Sequence, residues 1–263
     1  MTGNLGRRLL IGLLLGVAVV VGMGLWADTR ALAESLGAFS WPTYAAVLGL
    51  TLVNYGLRFL KWQFYLGRLG HHVRVGDSLL VFLSGMSMAV TPGKLGELVK
   101  AVLLRDRSGV PAADTASVVI GERATDFLAL VLLSASGVFI SGHGLSVLIV
   151  AAVGTLALVV VASSDRLSAG AVAIVARLPL GGRIAPKLNE MRVAMAVLVR
   201  PGPLLVATAL SVCSWGCECV GYYLVLSGLP DTAPTLGGAT FIYAFATVFG
   251  AVTLLPGGLG ATE

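Results

Sequence analysis

Long apolar stretches with few charged residues divide this chain, and they restrict the folds that it can adopt. A bilayer core about 30 Å thick is crossed by a helix of roughly 20 apolar residues. Six stretches have about this length: 9–26, 43–60, 115–141, 145–163, 203–228 and 237–255. The pattern therefore predicts an all-α fold, a polytopic transmembrane helical bundle with about six spans.

The composition excludes soluble enzyme folds. The 263 residues include 18 Lys and Arg and 13 Asp and Glu, and 57% of the chain is hydrophobic. So few charges cannot cover a soluble globule, whereas a bundle in lipid needs charge only in its loops and interior. No Walker A, dinucleotide-binding, zinc or nucleophile-elbow motif occurs, so we expect no cofactor and no metal. We interpret Cys213, Cys217 and Cys219 as small residues that pack within an apolar helix.

The apolar segment 78–90 is too short to cross a bilayer. Its 13 residues are typical of a re-entrant or half helix at membrane depth. A re-entrant helical hairpin over 78–105 would keep every basic loop on one side of the membrane and leave only Arg30 on the other. The positive-inside rule then predicts a multi-pass protein of the cell (inner or plasma) membrane with a cytoplasmic N-terminus.

The chain 1–263 is predicted to form a single integral membrane domain. Its longest loop, 164–202, has apolar residues at helical spacing among basic ones. This pattern predicts cytoplasmic interfacial helices in the loop.

A short motif occurs twice, each time directly after an apolar segment. Residues 91–97 and 255–263 both contain Pro-Gly-x-Leu-Gly followed by Glu. A turn motif in corresponding places indicates broken helices and an internal repeat, as in transporters; chance recurrence of abundant Gly and Leu is the alternative. The candidate residues are Thr91, Pro92, Gly93, Lys94, Gly96 and Glu97 in the first copy, and Pro256, Gly257, Gly258, Gly260 and Glu263 in the second.

The first copy predicts a helix N-terminus at membrane depth. Thr91 can cap the free amides, and Pro92 suits the first turn of the helix. The free N–H groups, Lys94 and the small residues Gly93 and Gly96 would form an anion site. The helix would have an apolar stripe of Leu95, Leu98, Val99, Val102 and Leu103. The alternative is an ordinary capped junction with surface pairs among Lys94, Glu97 and Lys100.

Three ionisable residues, Glu122, Arg123 and Asp126, interrupt the apolar stretch 115–141. Charge inside a membrane is costly and is functional by default. Arg123 can reach Asp126 at i+3, which leaves Glu122 unpaired. Glu122 or Asp126 would then be available for a proton or for gating, and Arg123 could contact a lipid phosphate. The alternative is that Glu122 lies near the cytoplasmic interface and that the cluster only locks helices together.

Two further sets of polar residues lie in or beside the apolar stretches, and the first of them has two interpretations. Glu218 lies deep in the stretch 203–228, where a structural hydrogen bond and a ligand role are both compatible with the sequence. The group Arg58, Lys61 and Trp62 closes the stretch 43–60 and is interpreted as an interfacial anchor.

These motifs occur in an order that resembles the flippase-like transmembrane region of the lysylphosphatidylglycerol synthase family. The order is Arg58-x2-Lys61-Trp62, Thr91-Pro92-Gly93-Lys94-Leu95-Gly96-Glu97-x2-Lys100, Glu122-Arg123-x2-Asp126 and Pro256-Gly257-Gly258-Leu259-Gly260-x2-Glu263. The resemblance covers essentially the whole chain and implies a bundle with re-entrant elements that moves polar or charged lipids between leaflets. Members usually continue past the last motif, so we expect the chain to be C-terminally incomplete after Glu263.

A lipid flippase or transporter is therefore the expected function, and we expect no enzymatic activity. Membrane lipids with anionic or phosphate headgroups would be its partners, with a lipid-modifying enzyme as a further partner and no nucleic acid. One alternative is a non-transporting membrane accessory subunit, for which the polar interior would be unnecessary. Another is a membrane transferase acting on lipid-linked substrates, but the largest loop offers only Asp165 and Glu190 as acidic residues.

Overall fold

The computed structural model describes residues 34, 37–87, 97–141, 145–177, 181–230 and 232–252. These residues form nine helices and no strand, which confirms the all-α class. The helices are α1 Trp41–Arg68, α2 Val75–Ser87, α3 Val99–Ser108, α4 Ala112–Ser141, α5 Leu145–Ser163, α6 Asp165–Ala176, α7 Gly181–Leu198, α8 Pro201–Ser227 and α9 Leu236–Val252.

Five helices coincide with predicted spans: α1, α4, α5, α8 and α9. The predicted span 9–26 lies outside the described residues. Within the described part of the chain, α8 is long and apolar enough to cross a membrane by itself. A second crossing results if 152–163 of α5 and α6, which are bent by 94°, form one broken span. The total of about six spans stays a prediction.

Local sequence sets the ends of several helices. Proline occupies one of the first two positions of α1 and of α8, where its missing N–H costs no helical hydrogen bond. Ser164 caps α6 by accepting a hydrogen bond from the Leu167 amide at 3.4 Å. Gly109 ends α3 in the left-handed conformation, with φ of 69°, which favours glycine.

The core lies where α1, α4 and α8 meet. α8 runs along α1 over the most extensive interface of the described helices, and α4 packs against α7, α8 and α9. One apolar cluster is built around Trp62, Tyr65 and Phe82, and a second around Leu130 and Trp215. Large apolar side chains such as Leu52 and Leu205 lie on the outside, exposed by 71% and 73%.

The elements of the predicted hairpin, α2 and α3, contact each other. The predicted apolar stripe of α3 faces the core only in part. Leu98 and Val102 are exposed by 37% and 48%, whereas Leu103 packs against the apolar cluster around Trp62. The buried residues of α3 are Lys100, Ala101 and Leu104. Lys100 lies on the inward face of α3 because its ammonium group finds carboxylates and aromatic rings inside. Whether this pair re-enters the membrane stays a prediction.

The predicted loop 164–202 is almost entirely helical, because α6 and α7 occupy most of it and pack against each other. Arg192 of α7 donates to Asp165 at the start of α6, with an N–O distance of 2.9 Å. The position of this pair at a membrane interface stays a prediction.

Candidate ionic site in the helical core

A polar stripe along α1 faces the interior of the bundle. Asn54, Arg58, Lys61 and Tyr65 follow one another at steps of four, three and four residues, which places them on one helical face. Their exposed fractions are only 3%, 9%, 1% and 1%. The interpretation of Arg58, Lys61 and Trp62 as an interfacial anchor is therefore wrong, since all three side chains are buried. Arg58 and Lys61 face inward because α4 and α8 supply carboxylate and hydroxyl partners. Trp62 faces inward and donates to Ser78 of α2.

Asp126 of α4 is the centre of this site. Its Oδ1 atom lies 2.6 Å from Lys61 Nζ, and its Oδ2 atom lies 3.2 Å from Arg123 Nη2 and 3.5 Å from Arg58 Nη2. Ser211 of α8 accepts from Lys61 Nζ at 2.7 Å and donates to Asp126 Oδ1 at 3.0 Å. A single carboxylate thus holds three cations from two helices.

A second group of ion pairs surrounds Lys100. Its Nζ atom lies 3.2 Å from Glu122 Oε2 and 3.7 Å from Glu97 Oε2, and it sits 4.9 Å from the ring centroids of both Trp62 and Phe82. The expectation that Glu122 is unpaired is therefore wrong. The alternative of surface pairs is also wrong for Glu97 and Lys100, which are 1% and 0% exposed.

Arg123 joins the two groups of ion pairs. Its Nη2 atom lies 3.2 Å from Asp126 Oδ2 and 3.4 Å from Glu97 Oε2. The guanidinium side chain is 22% exposed, against 10% or less for every other charged side chain in this set. We call the set the ionic core; it comprises Arg58, Lys61, Glu97, Lys100, Glu122, Arg123 and Asp126.

The ionic core contains one more positive charge than negative, with four basic and three acidic side chains. Burial of a charge is costly unless it is paired, and each of the three carboxylates has at least one basic partner. The excess cation and the partial exposure of Arg123 make this region suited to an anion.

Glu218 lies in a neighbouring polar cluster between α1, α8 and α9. Asn54 Nδ2 donates to Glu218 Oε1, and Ser214 Oγ donates to Asn54 Oδ1. Tyr243 OH donates to Glu218 Oε2 at 3.3 Å. Glu218 therefore forms the structural hydrogen bonds that one of its two interpretations predicted.

Five of the predicted site residues come together in the ionic core, namely Glu97, Lys100, Glu122, Arg123 and Asp126. A sixth candidate, Glu218, lies in the neighbouring cluster. The other ten candidates lie outside the described part of the chain: Thr91, Pro92, Gly93, Lys94, Gly96, Pro256, Gly257, Gly258, Gly260 and Glu263. The sequence interpretation missed Arg58 and Lys61 as members of the site, although the helical spacing of the α1 stripe was a usable signal. In the described part of the chain, no group of His, Cys, Asp and Glu residues has metal-site geometry.

An apolar exterior combined with a charged, paired interior is typical of an integral membrane protein of the helical-bundle class. The family model for the lysylphosphatidylglycerol synthase TM region matches residues 13–263, and the chain belongs to this family. It is accordingly a membrane protein from a family with a lipid-related function. Comparisons with curated proteins and with solved structures find no match.

Proposed function

We propose that this protein moves phospholipids with polar or charged headgroups between the leaflets of a cell membrane, without enzymatic activity. The observation that carries the proposal is the ionic core, which concentrates seven charged side chains inside an apolar bundle. Helix packing alone does not require such a core, because replacing buried ion pairs by apolar residues of similar volume is often neutral or stabilising.

Arg123 is the group that would receive the headgroup phosphate. It is the most exposed member of the ionic core, and its guanidinium can form two parallel hydrogen bonds with a phosphate. Its current partners are two carboxylates, Glu97 and Asp126, for which a phosphate would be a competitor. The exposed apolar side chains of the exterior would leave the acyl chains in the bilayer during the movement.

Glu97 connects this site with the first Pro-Gly motif. It is the last residue of the segment 91–97, and it lies 3.4 Å from Arg123. Glu97 is therefore the described residue that links the sequence motif to the ionic core. This connection supports a combined anion site, in which Lys94 and the backbone amides of the motif assist Arg123.

Reconstitution into vesicles tests the proposal. The purified protein is placed in liposomes containing a trace of phosphatidylglycerol with a fluorescent headgroup or chain label, and an external quencher reports how fast the inner-leaflet label becomes accessible. Zwitterionic and cationic labelled lipids, measured in parallel, define the headgroup preference. We expect faster movement than in protein-free liposomes. Equal rates with and without protein, for all three lipid charges, would refute the transport proposal and favour a non-transporting accessory subunit.

A matched pair of variants connects the movement to the site. Arg123→Gln removes the proposed phosphate ligand, and Arg107→Gln breaks an exposed ion pair with the same N–O distance of 3.2 Å, to Asp77. We expect Arg123→Gln to slow lipid movement about tenfold or more, which corresponds to one charge-assisted hydrogen bond. Arg107→Gln should keep the wild-type rate. Both variants are compared only as inserted, monodisperse protein.

A further inference from the structure

Glu218, which is half-buried, differs from the buried carboxylates in its partners. Three of them form ion pairs with Lys or Arg: Glu97, Glu122 and Asp126. No described residue forms an ion pair with Glu218. Its hydrogen-bond partners are neutral, namely the Asn54 amide on Oε1 and the Tyr243 hydroxyl on Oε2.

This difference determines which carboxylate can change its charge at low cost. Protonation of a paired carboxylate leaves its cation buried and uncompensated, which is strongly unfavourable. Protonation of Glu218 leaves no cation without a partner. The carboxyl group can also keep its contacts in either state, because the Tyr243 hydroxyl is both a donor and an acceptor.

The titratable and charged groups around Glu218 come from three helices. Arg58 of α1 lies one helical turn from Asn54, and its guanidinium is 5.5 Å from the ring centroid of Trp215 in α8. Tyr243 faces Glu218 from α9. α8 itself contributes Cys217, Cys219 and Tyr222. Arg58 is thus the charged side chain that connects this cluster with the ionic core.

Arg58 is also the most loosely held cation on Asp126. Its distance to the carboxylate is 3.5 Å, compared with 2.6 Å for Lys61 and 3.2 Å for Arg123. A negative charge on Glu218 would attract Arg58 towards α8, whereas a neutral Glu218 would leave Arg58 with Asp126. The charge of Glu218 would in this way alter the number of cations that Asp126 holds.

We propose that Glu218 is a proton-binding site and that lipid movement by this protein is coupled to protons. The Glu218 carboxylate accepts one proton from water on one side of the membrane and becomes a neutral carboxyl group. The same proton leaves to water on the other side, which restores the carboxylate. The inference rests on the proposed lipid movement and names the proton gradient across the membrane as its energy source.

The test uses the same liposomes with a pH gradient and a pH-sensitive dye inside. If one proton is coupled to each lipid, a gradient of about one pH unit shifts the equilibrium distribution of the lipid between the leaflets by a factor of about ten. For the wild-type protein, we expect the rate of phosphatidylglycerol movement to depend on the pH gradient. The dye should report a proton flux that requires phosphatidylglycerol in the liposomes. Glu218→Gln should move lipid at equal pH on both sides but lose the gradient dependence and the flux. Glu190→Gln, at an exposed carboxylate of α7, should behave as wild type.

The outcomes separate the two proposals. Wild-type lipid movement that ignores the gradient would overturn the proton coupling and leave the transport proposal standing, whereas no movement at any pH would overturn both. A gradient response in Glu218→Gln equal to wild type would overturn the assignment to Glu218. Tyr243→Phe provides a second variant should Glu218→Gln fail to fold. It removes one hydrogen-bond partner of the carboxyl group, so the gradient dependence of lipid movement should weaken, and an unchanged dependence contradicts the proposal.

Discussion

Lys61 Nζ lies 2.6 Å from Asp126 Oδ1, although the two residues are 65 positions apart in the chain and both are buried. This pair fixes the register between α1 and α4 at the level of the ionic core. Ser211 of α8 hydrogen-bonds to both partners, so three helices meet at one carboxylate.

Asp126→Asn should destabilise the protein more than Lys61→Met. Loss of the Asp126 charge removes the partner of three cations, whereas loss of Lys61 leaves Asp126 with Arg123 and Arg58. We expect Asp126→Asn to lower the free energy of unfolding by about 3–5 kcal/mol, because it leaves buried positive charge uncompensated. Asp77→Asn, in an exposed pair, should cost less than about 1 kcal/mol. Unfolding of the purified variants in detergent measures their relative stabilities. A Lys61→Met variant that is less stable than Asp126→Asn would contradict the prediction.

Gly85→Ala should displace the side chain of Lys100. A Cβ atom at Gly85 would lie 2.4 Å from two side-chain carbons of Lys100, whereas a Cβ at Gly76 of the same helix meets nothing within 4 Å. We expect Gly85→Ala to lose about 1–3 kcal/mol of stability and to disturb the pair with Glu122. Gly76→Ala should be neutral or slightly stabilising, because alanine favours the helix. Equal melting temperatures for the two variants would show that Lys100 moves aside without cost.

Ser78→Ala should destabilise the packing of α1 on α2. The Ser78 hydroxyl accepts from Trp62 Nε1 at 2.9 Å and donates to Gln63 Oε1 at 2.9 Å, and Ser78 is 0% exposed. The substitution leaves a buried indole N–H without this acceptor, at a cost of about 1–3 kcal/mol. Ser84→Ala, at an exposed hydroxyl of α2, is the control and should change stability by less than about 0.5 kcal/mol. Tryptophan fluorescence during unfolding measures both, and equal stabilities would contradict the role of Ser78.

Cysteine labelling tests the predicted orientation. In a background without Cys213, Cys217 and Cys219, an impermeant thiol reagent added to sealed cells should label Ala233→Cys but not Ser108→Cys. Both positions are exposed on the protein, and Ser108 avoids the left-handed backbone of Gly109. The expectation follows from the placement of the basic loops on the cytoplasmic side. Labelling of Ser108→Cys from outside would exclude the re-entrant hairpin.

Apolar length predicted the helices well, because burial in lipid demands a continuous apolar run whatever its neighbours are. The contact between Arg123 and Asp126 was also predictable, since it is local to one helix. The pairing of Glu122 with Lys100 was not, because it depends on how α3 packs against α4. Lys61 was misinterpreted for a similar reason: basic residues beside Trp62 suit an interface, and only the position of α4 and α8 shows that they face inward.

Photo-crosslinking with a phospholipid that carries its reactive group on the headgroup tests the central claim most directly. The claim is that the ionic core holds the headgroup, so mass spectrometry of the wild-type protein should locate crosslinks on the segments around Glu97 and Arg123. Arg123→Gln should lose these crosslinks, and Arg107→Gln should keep them. Crosslinks confined to exterior residues such as Leu52 and Leu205, unchanged in Arg123→Gln, would contradict the claim.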